Sequence, residues 1–458
     1  MLITFHDFKS LRHLIPIGIL VLIGGCTHLD QYRSNYEPCV SDNLERDCRT
    51  SAIQHYPAPG SSKSGFMLGV IEFDDKGQLF DRKQMASVLA AINDETVGVD
   101  QDSVTVVFVH GWKHNASEGD DNLSNFRRQL SRLSETERSL SLRQKRPARK
   151  IIGVLAWRGL SISAPVLKEL TFWDRKNTAH DVGHGQVTEV LARLEDVRKV
   201  RDAAAGGHSR SRLVVVGHSF GGAVVYSAVA QILEAHFVQT VGPAGVSSDV
   251  DGLGSLVVLI NPAFEAGLYS PLSDMSNERP SYFKSQLPVL AIMTSEQDLA
   301  TKRAFSIGRW FATRFEKTNK VARMNPISKT PEEIDEKDTS VVAVGHYEPY
   351  RTHYLRASGA VPPPQPTADE SASALKRTSE AWEKDSPGSR IEFPGTTLER
   401  TTNSAARNPY LVIKVQKSLI PNHNDIWNFR VAEFITQLIL ISGQSNDPTV
   451  RTSERDAL

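Results

Sequence analysis

The chain has 458 residues, enough for one α/β domain with insertions. Hydrophobic residues make up 40%, so a sizeable core can form. Lysine plus arginine number 53, as do aspartate plus glutamate; without a basic surplus, nucleic acid is not an expected partner.

At the N-terminus, Lys9, Arg12 and His13 precede "LIPIGILVLIGG", Leu14 to Gly25. A charged stretch followed by about a dozen apolar residues fits a secretory signal, because a membrane-spanning helix needs roughly 20. The stretch ends in "LIGGCT", with Cys26. This resembles the lipobox of bacterial lipoproteins, where two small residues precede a cysteine that is lipidated and becomes the new N-terminus. Ile23 stands where leucine is commonest. The resemblance implies signal residues 1–25 and a lipid anchor on Cys26 at the bacterial cell envelope. Thr27, in place of an aspartate, implies the outer membrane by the same resemblance. An uncleaved N-terminal anchor is the alternative.

Residues 27–64 are polar and rich in Ser, Pro and Asp, and read as a tether after the anchor. They hold the two remaining cysteines, Cys39 and Cys48. In an exported chain these form a small disulfide loop or stay as two unpaired thiols; the sequence leaves both open. No His/Cys spacing reads as a metal site.

"FMLGVIEF" (Phe66 to Phe73) reads as a strand and "DDKG" as a turn. A helix follows, with Met85, Val88, Leu89 and Ile92 on one face. Val104 to Val109 is an apolar run, as expected of a strand covered on both faces, and it ends in "HGW". Asp120 to Leu142 is a polar helix with Leu123, Phe126, Leu130 and Leu133 recurring at helical spacing. The basic run Arg143 to Lys150 reads as a solvated loop. "IIGVLAW" is a strand, Gln186 to Val200 a helix, and "RLVVVGHSFGGAVV" (Arg212 to Val225) a strand turning into a helix. "SLVVLINPAF", "PVLAIMTSEQD" and "YLVIKVQKSLI" are three more strands, and "FRVAEFITQLILI" is a closing helix.

This alternation predicts an α/β fold with a mostly parallel sheet flanked by helices. The domain spans 65–445, ahead of a polar tail at 446–458. Two segments interrupt the pattern. Residues 301–344 are charged and mixed and read as a cap or lid, while 357–408, with "VPPPQPTADESASA", reads as a flexible insertion.

"GHSFG" (Gly217 to Gly221) matches G-x-S-x-G, followed by Gly222. Alone the pattern is weak, but a buried strand before it and a helix after it are the context the motif requires. Ser219 is then a nucleophile on a sharp turn, with flanking glycines where side chains would collide with backbone. The Phe220 N–H and one from the "HGW" loop, assigned to Trp112, would form an oxyanion hole. His110 and Gly111 are expected to shape that loop, not to supply the base. Asp298, just past "VLAIMTS", is the expected acid, with Glu296 as runner-up. Three histidines follow it: His346, His353 and His423. His423 is the expected base, because it lies between the last strand and the last helix, where a loop reaches the crevice. Asp425 reads as a capping or loop residue. Phe172, Trp173 and Trp310 read as core packing before pocket lining, and Arg158 as an ion-pair partner or a crevice residue.

"HGW", "GHSFGG", "SEQD" and "NHNDIW", in this order, resemble the α/β-hydrolase superfamily. "FVHGWKHNA", with "IEFDDKGQLFD" before it and "WRG" and "FWDRK" after it, is similar to a bacterial and fungal branch of that superfamily. The resemblance covers roughly residues 66–441. It implies a core of about eight strands and a Ser219–Asp298–His423 triad that cleaves acyl esters through an acyl-enzyme. No cofactor is expected. The expected partners are an acyl-ester small molecule or lipid, and a membrane through Cys26. Acyltransferases and thioesterases use the same triad, and a non-catalytic envelope lipoprotein is the remaining alternative.

Overall fold

The computed structural model describes residues 31–41, 48–57, 64–74, 77–96, 101–111, 114–156, 185–243, 245–301, 317–325, 327–359 and 361–442. In chain order the first elements are β1 (Asn35–Val40), β2 (Ser51–Pro57), β3 (Ser64–Ile71), α1 (Arg82–Thr96), β4 (Ser103–Val109), α2 (Asp121–Arg143) and β5 (Lys150–Ala156). Then come α3 (Gln186–Ala204), β6 (Arg212–His218), α4 (Phe220–Gln239), β7 (Val241–Gly242), β8 (Gly245–Val246), β9 (Leu256–Ile260), α5 (Ala266–Asn277) and β10 (Leu290–Ser295). The remainder comprises β11 (Lys320–Met324), β12 (Pro331–Asp335), α6 (Glu336–Val341), β13 (His353–Ala357), α7 (Ala368–Glu383), β14 (Arg390–Phe393), β15 (Thr396–Arg400), β16 (Tyr410–Val415) and α8 (Phe429–Ile441).

The main sheet has the order β1-β2-β3-β5-β4-β6-β9-β10-β16-β13-β15-β14. The stretch from β3 to β13 in this order is parallel throughout. These are the continuous apolar runs of the sequence, buried on both faces; every residue of β4 and β6 is buried. One face packs α1, α3, α4 and α5 through Val88, Leu191, Val225 and Tyr269. The other packs α2, α7 and α8 through Phe126, Leu375 and Phe434.

The strand order carries a reversal. From β4 the chain turns back through α2 to β5, then forward through α3 to β6 on the other side of β4. Right-handed crossovers require helices to switch faces when the direction of travel switches, and α2 lies opposite α1, α3 and α4. The helices that follow β4 and β6 therefore leave on opposite faces, which makes the carboxyl ends of those strands the switch point of the sheet.

The sheet departs from the expected eight strands: it has twelve. The extra ones come from segments whose composition reads as unstructured. β1 and β2 arise within the expected tether, and β2 pairs antiparallel with β3. Ala52 and Ile53 are buried there, and Cys39 and Cys48 are joined by a disulfide. The expected flexible insertion supplies α7, β14 and β15, with β15 antiparallel to β13. A capping box between Thr367 and Glu370 starts α7. Leu375, Trp382, Ile391, Phe393 and Leu398 then bury against the second core. Spaced apolar residues, diluted by Pro and Ser, suffice once a sheet edge is present to receive them. Of the expected cap, the described part holds the β11–β12 hairpin and α6. Residues 1–30, with Cys26, and the tail 446–458 lie outside the described residues, as do Arg158, Phe172, Trp173 and Trp310.

Candidate active site

β6 ends at His218, and Ser219 takes φ 56° and ψ −121° before α4 begins at Phe220. A side-chain-bearing residue rarely adopts a positive φ, so this backbone is held by its surroundings. Two contacts hold it: the Ser219 N–H donates to the Ile260 carbonyl at 3.0 Å, and the Ser219 carbonyl accepts from the Ala263 N–H at 3.0 Å. The glycines permit the approach. A Cβ at Gly221 would lie 2.1 Å from the Val109 carbonyl oxygen, and one at Gly217 would lie 2.8 Å from the Gly221 carbonyl oxygen. A Cβ at Gly222 would meet Pro262 at 2.9 Å. The N-terminus of α4 is thus pressed against the end of β4, and Gly111 sits beside Ser219, where an added Cβ would be 3.3 Å from the serine Cβ.

Three side chains distant in sequence meet at this turn. The Ser219 hydroxyl is 2.7 Å from His423 Nε2, and His423 Nδ1 is 2.8 Å from Asp298 Oδ1. Ser219 and Asp298 are buried, while the His423 side chain keeps 19% exposure. Burial pushes the Asp298 carboxyl up, but hydrogen bonds from His423 and Thr301 outweigh it and hold the group below its usual range. An ionised Asp298 can only accept, so His423 carries its proton on Nδ1 and presents Nε2 as the acceptor for the Ser219 hydroxyl.

The other candidates lie elsewhere. Glu296 accepts from the Lys417 N–H. His353 is buried in β13 and, by desolvation and the nearby Arg400 charge, held neutral. His346 Nε2 lies 3.0 Å from the Thr301 hydroxyl, behind the acid rather than beside the serine. Asp425 accepts from the Asn422 side chain in the loop, and Asn428 caps α8. His110 Nδ1 is 2.9 Å from the Gly111 carbonyl, consistent with a loop-ordering part. Phe220 occupies the first position of α4. Trp112 lies outside the described residues.

Several residues that hold the site carried no clear signal in the sequence. His218 Nε2 and Asn261 Nδ2 both donate to the His423 carbonyl, at 3.0 and 2.9 Å. Burial, then the neighbouring His423, pushes His218 down to about 3, so it stays neutral and donates from Nε2. Asn261 adopts φ 45° and accepts from the Ser295 N–H through its side-chain oxygen, which ties β9, β10 and the His423 loop together. The loop after β4 is braced from the N-terminal segment. Arg33, fully buried, donates to the Ala116 carbonyl at 2.9 Å and pairs with Glu118. Of these, His218 alone lies within the pentapeptide, at the first of its two variable positions.

No family model, curated protein or solved structure matches the chain.

Proposed function

We propose that the protein is a serine hydrolase of the carboxylesterase or lipase type, with an α/β-hydrolase-like architecture. The observation that carries this reading is the unbroken chain from Ser219 through His423 to Asp298 at a positive-φ turn. The motif resemblance and the switch point between β4 and β6 add to it.

In this mechanism the Ser219 oxygen attacks the acyl carbonyl carbon while its proton passes to His423 Nε2. The developing oxyanion faces the Phe220 N–H at the positive end of α4. The carbonyl re-forms, the ester C–O bond breaks, and the imidazolium returns its proton to the departing alcohol oxygen. Water, deprotonated by the same nitrogen, attacks the acyl-enzyme; the acid leaves and Ser219 regains its proton. Asp298 remains ionised and stabilises the imidazolium. Every step uses residues of this chain alone. At the envelope, anchored through Cys26, the enzyme would meet acyl lipids or small esters.

The test is hydrolysis of p-nitrophenyl esters of graded chain length by the full chain and by Ser219→Ala. The expected result is turnover by the first and none by the second. Equal turnover by both would overturn the reading. Replacing Cys26 by serine should abolish palmitate incorporation; unchanged incorporation would remove the anchor.

A further inference from the structure

Asp298 is also held from the side away from the serine. Thr301 donates its backbone N–H to Asp298 Oδ1 at 3.2 Å and its hydroxyl to Oδ2. The same hydroxyl oxygen lies 3.0 Å from His346 Nε2. A hydroxyl has one proton. The acceptor-only carboxylate takes it, so towards His346 the Thr301 oxygen accepts, and His346 carries its proton on Nε2. The donors run in one direction, from His346 to Thr301 to Asp298, and meet there the Nδ1–H of His423.

His346 is fixed where it stands. It ends a 3-10 turn, Val344–His346, set against β10. A Cβ at Gly345 would lie 1.8 Å from Thr294 Oγ1, so the turn lies directly on that strand with no room for a side chain. The Val344 N–H donates to the Phe264 carbonyl at 3.1 Å, beyond the end of β9. Thr301 is 2% exposed and Asp298 fully buried, so Oδ2 depends on protein donors.

We propose that Thr301 and His346 are positioning residues of the triad. Together they fix the rotation of the Asp298 carboxylate and draw charge toward Oδ2, leaving Oδ1 aimed at His423. The proposal rests on the serine-hydrolase reading and extends it: the triad is the inner part of a five-residue hydrogen-bonded chain that reaches into the segment after α6. A preorganised site needs the orienting group itself to be held.

Two readouts test it, the rate of labelling by a fluorophosphonate probe and the downfield proton resonance of the His423–Asp298 hydrogen bond. Thr301→Val should slow labelling about 10-fold, the scale of a lost hydrogen bond to a charged group, and move the resonance. Thr301→Ser keeps the hydroxyl and should restore both. His346→Ala should slow labelling about 3-fold, while His346→Gln, whose amide can still donate, should restore most of it. If Thr301→Val does not fold, the His346 pair carries the test. Wild-type labelling rates and an unmoved resonance in Thr301→Val and His346→Ala would overturn the proposal. Absence of labelling in the folded wild type would instead sink the hydrolase reading, and the resonance would still decide whether Thr301 and His346 act on Asp298.

Discussion

The two ends of the parallel strands differ in what their polar groups do. At the amino ends of β6, β9 and β10 lies a cavity of about 560 Å³ lined by Arg198, Asp202, Arg212, Asp249 and Val289, among others. Its cations make static bonds. Arg212 donates to the carbonyls of Ser209, Ser211 and Ser442, and Arg198 pairs with Glu195. Burial pushes Arg212 down to about 9, and its role there is to tie the chain near its C-terminal helix to β6. At the carboxyl ends, a serine with positive φ faces a histidine whose other nitrogen is held by an ionised carboxylate. Volume marks the first end and chemistry the second. What locates a site is a backbone held in a costly conformation with donors and acceptors in sequence, not the space alone.

Substitutions at each end would sharpen or break this contrast. The largest effect is expected at Asp298. Asp298→Asn removes the charge and puts an NH2 donor in place of one of the oxygens that select the His423 tautomer, and should lower ester turnover by about 10⁴-fold. A loss below tenfold would mean that the carboxylate does not orient the base. At the opposite end, Arg212→Met strips three buried carbonyls of their donor and should cost about 2–4 kcal/mol in urea unfolding. Its fluorophosphonate labelling should stay within about 2-fold of wild type, because no reacting group is touched. Labelling that collapses in the folded variant would break the division between the ends.

The remaining expected effect concerns pH. His218 has a folded value depressed to about 3, below the unfolded value of about 6.5. A depressed value means the unfolded state binds the proton first, so its stabilising contribution is full above about pH 6.5 and lost as pH falls toward the folded value. The slope from this group reaches at most about 1.4 kcal/mol per pH unit. Urea midpoints of His218→Gln between pH 7 and 4 should fall less steeply than those of wild type. Identical slopes would contradict a neutral buried His218. His353, also buried and held neutral, adds a slope that both proteins share.

The same contrast explains what could be read from the residues alone. The triad was legible because each member follows an apolar run, and runs of that kind end at one edge of a parallel sheet. Gly217, Gly221 and Gly222 announced the close packing that they permit. The outer strands were not legible. β1–β2 and β14–β15 lie in polar surroundings and join the sheet through β3 and β13, partners that sequence spacing does not reveal. The supports of the site were hidden for a related reason. His346 stood out only as a competing base, and its position behind Asp298 depends on a contact with Thr301 across 45 residues. Asn261 and Arg33 act through backbone carbonyls, which leave no pattern in side-chain chemistry.

The central claim is that Ser219 is an activated nucleophile. Exposing the full chain to a fluorophosphonate and mapping the adduct by mass spectrometry tests it most directly. The account predicts one adduct, on the peptide carrying Ser219, and a Ser219→Ala protein that remains unmodified. A folded wild-type chain that takes up no probe, or takes it up at another residue, would contradict it.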